Sequence, residues 1–174
     1  MSPVAHAGVS TLVALAAGET WGPAAAVAAF AGGTVIDVDH FLDWRWNRMG
    51  RFTVRRFVSR CMQFRLPRFY LVAHAGEWIV PFLLWAWLDA TSPLVKGFAA
   101  GLLSHACMDL LGNGLRLPAY LLTYRWWHGF DSRRLVSRLP AGGVAWWGSE
   151  RAWRLGRREP VRSRQAPGPV RVQA

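Results

Sequence analysis

Several short stretches of this chain set imidazoles beside carboxylates at helical spacing. His105 and Asp109 are four residues apart and His74 and Glu77 three apart, so each pair would share one helix face. Asp37 and His40 stand three apart with Asp39 between them, and His6 adds an imidazole near the start. Imidazoles and carboxylates projecting inward from several helices are a usual way for a bundle to build a metal site. That donor mixture suits Zn²⁺ first, with Mn²⁺ or Fe as alternatives. The expected metal ligands are His6, Asp37, His40, His74, His105 and Asp109, with Glu77 or Asp39 as general base or further ligand. Eight donors exceed the needs of one ion and leave room for a second. Two ions could activate a water and stabilise an in-line phosphoryl displacement. Each group also has a plain alternative as a hydrogen-bonded structural residue. His128, in Arg125-Trp-Trp-His128, reads as an interfacial residue. Cys61 and Cys107 lack metal-type spacing and imply no disulfide.

The elements that must position these groups are apolar. Segment one runs from about Pro3 to Ala17 and segment two from about Ala24 to Asp37, separated by a turn at Glu19–Pro23. Segment three, Phe69 to Leu88, has 20 residues, about 30 Å of helix and enough to cross a bilayer core. Segment four runs from about Leu94 to Leu111 after a turn at Asp89–Pro93. The first two are shorter than the usual span, which keeps a soluble helical bundle open as an alternative. Leu117 to Trp127 is apolar but too short to cross and suits an interfacial or re-entrant piece.

Charge is lopsided, with 21 basic against 10 acidic residues and a net charge of +11. A strongly basic chain suits an anionic partner, nucleic acid or lipid headgroups. Basic residues fill the gaps between apolar segments rather than striping them, which favours the membrane. Between Arg45 and Arg68 there are eight arginines and no acid. Within that stretch Val54, Phe57, Val58, Cys61 and Met62 form one apolar face of a basic amphipathic helix, fit for the headgroup layer. By the positive-inside rule the arginine-rich loop and C-terminal region face the cytoplasm, and the two charge-poor turns face the other side. Four spans satisfy this. They also bring His6, Asp37, Asp39, His40, His74, Glu77, His105 and Asp109 to one membrane level, where ionisable groups pair, bind an ion or line a wet cavity.

Gly-Gly-Thr-Val-Ile-Asp37-Val-Asp39-His40 resembles the Pro-Asp-x-Asp-His end of helix two in the inner-membrane-associated metal-dependent hydrolases, the LexA-regulated membrane hydrolase family. Gly101-Leu-Leu-Ser-His105-Ala-Cys-Met-Asp109 is similar to that family's Gly-x-x-Ser-His-x-x-x-Asp helix, and the early His6 also fits. The resemblance covers roughly residues 1–115. It implies a polytopic membrane protein with Asp37, Asp39, His40, His105 and Asp109 in the metal region. Ile36 stands where the family has Pro, and only His74 remains of a His-Arg-x-x-x-His-Ser run before helix three.

The expected fold is therefore all-α, a polytopic membrane bundle of about four main helices plus an interfacial basic helix. Residues 1–128 form the membrane domain, 129–156 a basic Trp-rich interfacial segment and 157–174 a disordered basic tail. The expected function is a metal-dependent hydrolase of the inner membrane acting on a phosphoester or membrane lipid. Anionic headgroups would meet its arginine-rich loops. The alternative is a non-enzymatic membrane protein whose polar cluster is structural or binds an ion or headgroup. A nucleic-acid binder using the basic tail is a third, weaker reading.

Overall fold

The computed structural model describes residues 3–62, 66–88 and 92–137. The Trp-rich stretch Gly143–Trp153, the tail Arg157–Ala174 and the first three residues of the Asp89–Pro93 turn lie outside these. Helix α1 spans Pro3–Trp21 and α2 Pro23–Thr34. Gly22, at φ 93°, makes the turn between them, and Pro23 opens α2 where its missing N–H costs nothing. The chain then passes through a 3₁₀ turn, Val35–Val38, into α3, Asp39–Trp46. Segment two thus does not stop at Asp37. It forms one helical run of 24 residues, Pro23–Trp46, because no Gly or Pro interrupts Thr34–Trp46. The basic helix α4 is Val54–Met62. Its Phe57 stacks on Phe41 at 4.4 Å, while Val54 and Val58 stay exposed.

Segment three differs from expectation. Its helix, α5, is only Gly76–Leu88, and Phe69–Ala75 is an ordered loop with a 3₁₀ turn at Val72–His74. The cause is competition for backbone donors. The N–H groups of Tyr70 and Leu71 bond to Asp43 Oδ1, and that of Ala73 to Asp39 Oδ2, instead of closing a helical ladder. Thirteen residues rise only about 20 Å. Helix α6 is Pro93–Gly112. The aromatic stretch after it divides into a 3₁₀ turn, Leu117–Tyr120, and α7, Leu122–Trp127; α8 follows at Ser132–Leu135. Among the described residues there are helices and two isolated β-bridges, so the all-α expectation holds.

Among the described residues two helical runs, Pro23–Trp46 and Pro93–Gly112, have the length and hydropathy to cross a membrane, fewer than the four spans expected. These two pack at backbone contact. A side chain on Gly97 would strike the carbonyl of Ala25, and one on Gly101 that of Ala29. Small residues spaced by four on both helices permit this approach, the packing mode of helices in lipid. Ser10 of α1 fits against Gly33 in the same way. A second, ordinary hydrophobic core joins Leu66, Phe69, Leu71, Ala119, Leu135 and Val136. It lies in the segments that carry His74 and follow α6.

Candidate metal centre

The close α2/α6 contact places Gly33 beside His105. The His105 Nδ1 lies 2.9 Å from the Gly33 carbonyl oxygen. A carbonyl only accepts, so Nδ1 carries the proton and Nε2 presents its lone pair inward. On the loop before α5, His74 Nδ1 lies 2.9 Å from Asp39 Oδ2, which fixes the same tautomer when Asp39 is ionised. The two Nε2 atoms then face each other at 3.1 Å. Two lone pairs at that distance repel unless a proton or a cation sits between them.

The carboxylates around this pair bear on which it is. Asp37 Oδ1 lies 3.6 Å from both Nε2 atoms. Asp109 Oδ2 lies 3.4 Å from that of His74 and 3.5 Å from that of His105. A proton shared by two imidazoles relieves their repulsion and offsets one negative charge. A divalent cation relieves it and offsets both acids. Donors 3.1 to 3.6 Å apart can share a cation about 2.1 Å from each, the length of a Zn–N or Zn–O bond. Asp37, His74 and His105 therefore could hold a metal ion, with Asp109 Oδ2 beside both imidazoles. Two further carboxyl groups, Asp39 and Asp43, are buried nearby, and Arg125 is the buried arginine set against them among the described residues.

The other expected residues stand around this core. His6 stacks on His105 at 4.1 Å, and its Nε2 lies 3.1 Å from the second oxygen of Asp109. It orients that carboxylate, or shares it with His105 in a second ligand group, His6–His105–Asp109. His40 stands at the rim, its Nε2 3.7 Å from Asp37 Oδ1, and its buried Nδ1 has no hydrogen-bond partner among the described residues. Asp39 bonds the Nδ1 side of His74 while Asp37 Oδ1 lies 3.6 Å from its Nε2, so the Asp-x-Asp pair flanks one imidazole on both sides. Asp37, His40, His74, His105, Asp109, His6 and Asp39 thus come together.

Glu77 does not join them. Its carboxylate accepts bonds from Leu122 N, Thr123 N and Thr123 Oγ1, and so ties α5 to the start of α7. His128 donates through Nδ1 to the Tyr124 carbonyl and stacks on that ring, apart from the cluster. Sequence reasoning missed the supporting roles of Asp43 and Arg125. The four-residue step from Asp39 to Asp43 was a usable signal for the first, since both then face the same way on α3. One arginine among twenty carries no such signal for the second.

No protein-family profile, curated protein or solved structure matches this chain.

Proposed function

We propose that the chain is a multi-pass inner-membrane hydrolase that uses a divalent metal, Zn²⁺ first, on a phosphoester or membrane lipid. The observation that carries this reading is the pair of Nε2 atoms facing each other at 3.1 Å, each imidazole hydrogen-bonded through Nδ1, with oxygens of Asp37 and Asp109 3.4 to 3.6 Å away. Membrane residence is supported by the outer faces of the helices. Leu12, Val27, Leu84, Leu103 and Leu111 are all exposed, and only about a third of each candidate span is buried. The arginine-rich 45–68 stretch and the C-terminal region would lie on the cytoplasmic side.

A divalent ion bound there would supply Lewis-acid activation of water and stabilise charge on a phosphoryl oxygen. Asp109, His74 and His105 would bind it from the buried side, their side chains under a tenth exposed. Asp37 is 28% exposed and His40 22%, so water and substrate would reach the centre along that edge. Four ligands that closed the shell would make a structural site, whereas a catalytic one keeps a position open. His40, on the open edge with Nε2 near Asp37, is placed to take up a proton from water. Asp39 already spends Oδ2 on His74 and Ala73.

The test is phosphate release from phosphatidic acid in mixed micelles by detergent-purified protein loaded with Zn²⁺, Mn²⁺ or Fe²⁺. The expected result is turnover abolished by chelator, restored by metal, and reduced at least about 100-fold in Asp109→Ala. Metal-loaded protein inert toward phosphoester and carboxylester lipids alike would favour the non-enzymatic, ion-binding alternative.

A further inference from the structure

We propose that Arg125, together with Asp43, is a positioning residue for the metal centre, acting on His74 through the backbone of Leu71. The inference rests on the metal reading above. Arg125 lies in α7, far along the chain from every expected ligand, yet it is only 1% exposed. Its Nη1 donates to the Leu71 carbonyl at 2.7 Å, and its Nε to that of Leu121 at 3.4 Å. The same Leu71 carbonyl accepts the His74 backbone N–H at 3.1 Å, the bond that closes the 3₁₀ turn bearing the imidazole. Arg125 and His74 therefore share one oxygen atom.

Asp43 holds the other side of that residue. Its Oδ1 accepts from Tyr70 N at 2.9 Å and Leu71 N at 3.2 Å. Leu71 itself sits at φ 43°, ψ 52°, in the left-handed region that a leucine avoids. Such a conformation persists only where the surroundings over-determine it. Here both its N–H and its C=O are claimed, by Asp43 and Arg125. The kink turns the chain so that the His74 ring meets Asp39 on one side and the facing His105 on the other.

Stability alone does not account for a guanidinium in this place. Burial disfavours its charge and pushes the Arg125 pKa down, with Asp39 and Asp43 opposing the shift. An apolar side chain of similar volume often serves a core as well or better than a buried ionic group. What an apolar residue cannot do is fix the Leu71 carbonyl.

The experiment measures Zn²⁺ affinity by chelator competition and the visible spectrum of the Co²⁺-loaded full-length protein, for wild type, Arg125→Met and Asp43→Ala. Helix content by circular dichroism accompanies each. The expected result is folded variants with affinity lowered about 10- to 100-fold in Arg125→Met and less in Asp43→Ala, with altered Co²⁺ bands in both. Arg125→Lys, which keeps one donor for the carbonyl, is expected to recover part of the loss. Folded Arg125→Met with wild-type affinity and spectrum overturns the proposal while leaving the metal site standing. Should Arg125→Met fail to fold, wild-type affinity and spectrum in Asp43→Ala overturn it equally. Wild-type protein that takes up neither ion overturns the metal reading and this inference together.

Discussion

Helices α1, α2 and α6 and the segments around Leu66–Ala75 and Leu115–Val136 serve one cluster but are built by opposite means. The helices approach so closely that backbone touches backbone, and their contact residues are Gly, Ala and Ser. The other region packs Leu, Phe and Val around an ordinary core and pins its loops with side chain–backbone hydrogen bonds. The helices, with the 3₁₀ turn and α3 that continue α2, contribute His6, Asp37, Asp39, His40, His105 and Asp109, while the second region contributes His74 alone. One region tolerates no added atom, and the other is sensitive to removed ones.

That contrast can be broken from either side. Gly101→Val drives a branched side chain into the Ala29 carbonyl, and α2 and α6 must part. The expected cost is about 3 kcal/mol or more, read as loss of folded protein from detergent extracts. Full expression with an unchanged unfolding midpoint would show that the close helix contact is dispensable. Leu135→Ala empties space in the second core, where Leu135 is fully buried. About 2–4 kcal/mol should be lost, with the centre retained in the protein that remains folded. Metal affinity falling in step with stability would mean that the two regions do not behave separately.

The smallest effect concerns Asp131, which caps α8 by accepting from Arg133 N and pairs with the Arg133 guanidinium. Partial burial raises its pKa, but these bonds more than offset that and hold it below the usual carboxylate value. A depressed folded pKa gives stability that is present above about pH 4 and lost as pH falls through the folded value. Asp131→Asn should therefore cost less than about 1 kcal/mol at neutral pH and nothing at strongly acid pH. A difference that grows on acidification would reverse the assigned sign.

How legible the site was in the sequence follows the same division. The His105–Asp109 step was readable because helix geometry alone puts those side chains on one face, and α6 is an uninterrupted helix there. The His74–Glu77 step was not. Ala75 is extended, at φ −80° and ψ 123°, so the helix that would align the two residues begins only at Gly76. What stops the helix is a pair of acids on α3, more than 25 residues earlier, bonding to the backbone of Tyr70, Leu71 and Ala73. Local periodicity cannot report so distant a partner. The apolar run of Phe69–Leu88 looked like one span because its hydrophobicity is continuous even though its hydrogen bonding is not. His6 was placed correctly beside the other imidazoles, and the tight packing of small residues that brings α1 there was visible only as composition.

The most direct test of the central claim is the metal content of detergent-purified protein after loading with Zn²⁺, Mn²⁺ or Fe²⁺ and desalting. Mass spectrometry should count the ions in wild type and in His74→Ala/His105→Ala. Wild type is expected to hold about one tightly bound equivalent and the double variant less than about a tenth, both folded. Less than a tenth of an equivalent in wild type, or equal content in the two proteins, would contradict that claim.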